Sequence, residues 1–64
     1  MTHLNSEAIK SVDYDPTRLH LYIWFPNHGP YTYYGVPERI YQRLVNAASP
    51  GTFYNEVIKN NYSA

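Results

Sequence analysis

The sequence predicts an α+β fold: a three-stranded antiparallel β-meander followed by two α-helices packed on one face of the sheet, in the order β-β-β-α-α. Three observations predict it. Residues 18–25, RLHLYIWF, alternate with a period of two, the spacing of a strand with two different faces. Ile40, Tyr41, Leu44, Ala47 and Ala48 recur at helical spacing and make one apolar stripe. The strand candidates are joined by short stretches rich in Pro, Gly, Asn and Asp, which favours sequential antiparallel pairing.

The chain has 64 residues, read as one domain over 1–64. A domain of this size buries only about 60% of the surface that its unfolded chain exposes. Disulfides, metals, oligomerisation or dense packing usually offset that deficit. There is no cysteine, so a disulfide framework and a thiolate metal site are excluded. His3, His20 and His28 lack a recognised ligand spacing, so neither a metal nor another cofactor is expected. Eight Tyr, two Phe and one Trp supply packing instead, each aromatic side chain burying roughly 150–250 Å².

Five basic residues balance five acidic ones. That disfavours non-specific binding to duplex nucleic acid, which needs a basic stripe. It is compatible with single-stranded RNA, where stacking on rings carries much of the energy. No apolar run approaches the ~20 residues of a membrane-spanning helix, and MTHLNSEAIK lacks the pattern of a signal peptide. A cytoplasmic protein with no membrane partner is expected.

The elements follow in order. Residues 1–5 read as a flexible N-terminal arm. Residues 6–15 are the first strand candidate; Ile9 and Val12 are an odd number of positions apart, and a bulge at Lys10–Ser11 would bring them to one face. At Asp15-Pro16-Thr17, proline presets φ and Asp15 can accept hydrogen bonds from the following backbone. In the second strand, residues 18–25, Leu19, Leu21, Ile23 and Phe25 form one face and His20, Tyr22 and Trp24 the other. PNHGP, residues 26–30, reads as a hairpin loop, and residues 31–36 as the third strand. Pro37 opens the first helix, with Glu38 near its positive end. Ser49 is placed as N-cap and Pro50 as first residue of the second helix, whose apolar stripe is Phe53, Val57 and Ile58 with Tyr54 on its edge. Asn60 and Asn61 end that helix, and Tyr62 folds back onto the core.

The segments AIKSVDYD, LHLYIWF, YTYYGVP, IYQRL and SPGTFYNEVI, in that order and spacing, resemble the KTSC domain family. That family is named for its occurrence at the C-terminus of some lysyl-tRNA synthetases and also occurs as short stand-alone bacterial and phage proteins. The resemblance covers residues 6 to about 62. The family's Tyr-x-Tyr falls on Tyr31 and Tyr33, its Val-Pro helix start on Val36 and Pro37, and its Ser-x-Gly-x-aromatic-aromatic-Asn segment on Ser49, Gly51, Phe53, Tyr54 and Asn55. The attachment to a tRNA synthetase implies RNA binding by analogy; the resemblance implies no catalytic activity. The chain departs from the family where PNHGP stands in place of a simple Gly-rich turn.

That departure leaves two hairpin registers open. If Phe25 pairs with Pro30, Trp24 faces Tyr31 and Tyr22 faces Tyr33, giving an aromatic platform on the face away from the core. If Phe25 pairs with Tyr31, Ile23 faces Tyr33 and both tyrosines join the core. Tyr34 takes the opposite face to Tyr33 in either case. Two helices cover only one face, so Trp24, Tyr22 and His20 are expected to remain partly exposed. Such rings are either scattered surface aromatics or a contiguous interaction patch.

The candidate RNA- or partner-binding set is therefore Trp24, Tyr22, His20, Tyr31 and Tyr33, with Arg18 and Lys10 near phosphates. The alternative partner for the same patch is another protein, a second copy of the chain included, as in a small phage or host regulator. Ser49 and Gly51 at a helix N-terminus read as a cap rather than an anion site, and Asn55 as bonding to a neighbouring loop. The pairs His20 with Glu56 and His28 with Asp15 are conceivable acid–base partners, but no nucleophile–base set, phosphate-cradling loop or metal cluster marks an enzyme.

Overall fold

A computed structural model describes residues 2–4 and 6–62. Its elements are strands β1 (Thr2–His3), β2 (Ser11–Asp15), β3 (His20–Phe25) and β4 (His28–Tyr33), and helix α1 (Glu38–Val45). A second helix begins with α2 (Pro50–Phe53), widens into a π-helical turn (Tyr54–Ile58) and ends as α3 (Lys59–Asn61), continuous over residues 50–61. The sheet is antiparallel in the order β1-β2-β3-β4. The α+β class and the antiparallel sheet followed by helices are as read from the sequence; the strand number is corrected from three to four.

The added strand is the segment taken for an arm. Thr2 pairs with Val12 and His3 with Ser11. The Thr2 hydroxyl shares a 3.1 Å hydrogen bond with the Tyr41 hydroxyl, and the Leu4 N–H donates to the Lys10 carbonyl at 3.1 Å. Such ties to the sheet and to α1 hold a short segment that composition alone leaves loose. Met1 and Asn5 lie outside the described residues.

β2 is shorter than the 6–15 span. Ser11 is the partner of Trp24, yet the Lys10 N–H also donates to the Trp24 carbonyl, at 2.9 Å. Two residues thus oppose one, as in a bulge. This irregularity puts Ile9 and Val12, both fully buried, into the same core.

β3 begins at His20, not at residue 18. The Asp15 carboxylate accepts the Thr17 and Arg18 N–H groups at 3.0 and 3.3 Å, so the turn it holds runs on to Leu19. Leu19 has φ +59° and is 41% exposed; it is not a core residue. The left-handed conformation closes the turn and takes its side chain out of the strand's alternation.

β4 begins three residues earlier and ends three residues earlier than read. Phe25 pairs with His28 across the two-residue turn Pro26–Asn27, whereas Ile23 pairs with Tyr31 and Leu21 with Tyr33. Between those pairs Gly29 and Pro30 oppose Trp24 alone, and their peptide bond is cis. Gly29 has φ +130°, and a Cβ there would lie 2.9 Å from the Ile23 carbonyl oxygen. Only glycine fits that approach. Neither anticipated register occurs, because each assumed regular pairing through the bulge. The face that the second one gave to Tyr33 is the observed face.

One face of the sheet is covered. Val12, Leu21, Ile23 and Tyr33 pack with Ile9, Val36, Ile40, Leu44 and Ile58 in a single buried cluster. Each buried aliphatic side chain contributes roughly 1.5–3 kcal/mol by leaving water. Phe53, Tyr54, Val57 and Tyr62 pack against this cluster; Ala48, placed on the α1 stripe, lies beyond its end and is exposed. Pro37 occupies the N-cap position of α1 instead of its first turn, with φ −66° and ψ 152°. Tyr14 joins sheet to helix: its O–H donates to the Val36 carbonyl at 2.5 Å, and its ring stacks on Tyr41 with centroids 5.0 Å apart.

Candidate binding surface on the open sheet face

The register fixes which side chains share the uncovered face. Residues directly opposite on antiparallel strands point the same way. His3, Ser11 and Trp24 therefore form one row, Asp13, Tyr22 and Thr32 a second, and Asp15 and His20 a third. Trp24, Tyr22 and His20 are each half-buried, as expected for a face that no helix among the described residues covers. Ser11, the cross-strand partner of Trp24, is only 3% exposed.

The rings run along β3. His20 meets Tyr22 edge-on with centroids 6.2 Å apart, and meets Tyr34 edge-on at 4.8 Å. Tyr34 is 54% exposed. It extends the line past His20 and was missing from the sequence-derived set; its parity opposite Tyr33 puts it on this face only in the register that buries Tyr33. Two cations flank the line: exposed Lys10 is tied through its backbone to Trp24, and exposed Arg18 stands in the turn beside His20. The Arg18 Nε lies 3.8 Å from the Asp15 Oδ2, an exposed pair that contributes little to stability. Asp13 sits in the middle row, its Oδ1 accepting the Tyr14 N–H at 2.9 Å.

Tyr31 and Tyr33 do not belong to this platform. The Gly29–Pro30 bulge carries both onto the covered face. Tyr33 is 5% exposed, and its hydroxyl shares a 2.5 Å hydrogen bond with that of Tyr54. Burial pushes the Tyr33 phenol pKa well above its ordinary value, and the hydrogen bond to Tyr54 adds to the rise. Tyr31 is 44% exposed at the hairpin end, 5.4 Å from Phe25 and 5.1 Å from His28 between ring centroids. Phe25 in turn meets Tyr54 at 5.4 Å. The tyrosines of GPYTYYGVP thus divide among three roles: Tyr33 in the core, Tyr31 in a hairpin cluster, and Tyr34 on the open face.

The remaining motif positions gather elsewhere. Ser49, Gly51 and Asn55 line a concavity of about 420 Å³ with Ser6, Glu7 and Ala8. A Cβ on Gly51 would lie 2.7 Å from that of Ala8, so this glycine lets the second helix pack against the segment before β2. The Ser49 hydroxyl donates to the Thr52 Oγ1 at 3.0 Å and makes no cap bond to a backbone N–H. The conceived acid–base pairs are not assembled. His20 lies on the open face while the helix bearing Glu56 covers the other; His28 and Asp15 lie at opposite ends of β3.

The same architecture occurs in known proteins. The crystal structure of a KTSC domain protein from Yersinia pestis matches with a TM-score of 0.91 and 40% sequence identity, over 97% of this chain and 87% of that one. A protein of Tsukamurella paurometabola is 34% identical over 64 residues, spanning 100% of this chain and 96% of its own length. A protein of Stutzerimonas stutzeri is 36% identical over 56 residues, 88% of this chain and 79% of that protein. The family profile of the KTSC domain matches residues 5–62. The chain belongs to the KTSC domain family.

Proposed function

We propose that this protein is a small non-catalytic binding module that takes single-stranded RNA on the open face of its sheet. The observation that carries the reading is the row of Trp24, Tyr22 and His20 along β3, met at His20 by Tyr34 from just past β4, on the face opposite the helices. Each base stacked on such a ring contributes about 1–3 kcal/mol, with little dependence on sequence. Lys10 and Arg18 at the two ends would meet phosphates. The analogy with a domain attached to lysyl-tRNA synthetases points the same way, and a cytoplasmic setting fits it. With zero net charge, the complex would be held by stacking more than by counterion release, so its salt dependence would be shallow. Fluorescence titration of Trp24 with a mixed pool of short RNAs tests this: saturable quenching that is lost when Tyr22→Ala removes a neighbouring ring supports it, and an unchanged spectrum counts against it.

A second reading, a protein-interaction module using the same face, is favoured by one observation. Asp13 and Asp15 stand in the rows beside Tyr22 and His20, and carboxylates among rings suit the Lys and Arg side chains of a basic protein segment.

A further inference from the structure

We propose that this face selects single strands whose bases are unstacked from one another, uridine runs above self-stacked adenine runs, an inference that rests on the RNA reading above. The rings that would receive the bases are not parallel. The His20 ring stands at 85° to that of Tyr22, with centroids 6.2 Å apart, and at 86° to that of Tyr34, with centroids 4.8 Å apart. In a self-stacked strand successive bases lie nearly parallel. Such a strand can lay a base flat on Tyr22 or on His20, but not on both. A strand whose bases are splayed apart can follow the change of angle from one ring to the next and use each of them.

The spacing acts in the same direction. Trp24, Tyr22 and His20 are alternate residues of β3, so their Cα atoms are about 6.4–6.8 Å apart along the strand. Stacked nucleotides advance about 3.4 Å each. Bases set on successive rings are therefore stretched to about twice the stacked rise, and contact between neighbouring bases is lost. An adenine run has to break its own base–base contacts to reach a second ring. A uridine run has almost none to break. The preference is thus set by the stacking of the RNA itself, with no hydrogen bond to a base edge required.

The test uses the full chain with an oligouridylate and an oligoadenylate of equal length, followed by Trp24 fluorescence and by the circular dichroism of the RNA. The uridine strand should bind about 5-fold or more tightly than the adenine strand, the lower end of what one additional stacked base contributes. At saturation the stacking band of the adenine strand should collapse. His20→Ala removes the perpendicular ring and should weaken the uridine strand more than the adenine strand. Tyr34→Ala, at an exposed position, should act the same way. Equal affinity, tighter adenine binding, or an adenine strand that stays stacked when bound overturns the selection and leaves RNA binding standing. A preference unchanged in both variants does the same. Absence of saturable binding by either strand overturns both.

Discussion

The hydroxyls of Tyr33 and Tyr54 meet at 2.5 Å, joining β4 to the second helix through one buried phenol and one half-buried one. This contact explains why Tyr33, in a run that reads as an aromatic surface, is a core residue. Tyr33→Phe removes one partner and leaves the Tyr54 hydroxyl to be satisfied elsewhere. A loss of about 1 kcal/mol in urea unfolding is expected. The double change Tyr33→Phe with Tyr54→Phe should lose less than the sum of the two single changes, since no orphaned hydroxyl remains. Strict additivity would show that the two groups do not interact.

The same burial makes stability fall at high pH. The Tyr33 phenol is raised by burial and by Tyr54, and the Tyr14 phenol by burial first and then by the Glu38 and Asp15 carboxylates. In the unfolded chain both titrate near 10.0. Above that pH the unfolded state has lost protons that the folded state keeps, so ΔG of unfolding decreases as pH rises through the unfolded value towards the folded one. Stability from these groups should be fully present below pH ~10 and decline above it. The decline should be shallower in Tyr33→Phe; an equal slope in both proteins would place the alkaline transition elsewhere.

Gly51 is required by packing. Gly51→Ala would set a Cβ 2.7 Å from that of Ala8, and relieving such overlap in a packed region costs typically about 1–3 kcal/mol. The partner change Ala8→Gly should restore most of the loss. Thermal unfolding of the two single variants and the double variant measures this, and a Gly51→Ala protein as stable as the parent would refute the close approach.

Leu19 separates the structure from the sequence pattern. As a core residue of β3 it would lose about 2–5 kcal/mol on truncation. At φ +59° and 41% exposed it should instead gain stability on replacement by a residue that tolerates the left-handed region. Leu19→Asn or Leu19→Gly is expected to raise the free energy of unfolding by up to about 1 kcal/mol, read from urea unfolding. A large loss would return Leu19 to the core.

The parts legible in the sequence are those with local physical causes. The alternation of Leu21, Tyr22, Ile23 and Trp24 gave both faces of β3. The Asp15 turn, the Lys10–Ser11 irregularity and the stripe of Ile40 and Leu44 follow from single residue types and short periods. What was missed depends on contacts and backbone conformations that residue type and period do not specify. Thr2 becomes a strand residue because Tyr41 and Val12 receive it. Leu19 leaves the alternation because the turn held by Asp15 extends to it. The displacement of Tyr31 and Tyr33 comes from Gly29 crossing over Ile23 and Trp24, an approach that PNHGP permits without specifying. Of the candidate site, Trp24, Tyr22 and His20 stand on one face as read, whereas the central Tyr-x-Tyr belongs to the opposite one.

The most direct measurement is an NMR titration of the isotope-labelled protein with short single-stranded RNA against a buffer control of matched salt. Shifts concentrated at His20, Tyr22, Trp24 and Tyr34, spreading to Asp13 and Thr32 and sparing Tyr33 and Tyr54, are the expected result. Shifts confined to Phe25, His28 and Tyr31, or none at all, would mean that the open face of the sheet is not where RNA binds.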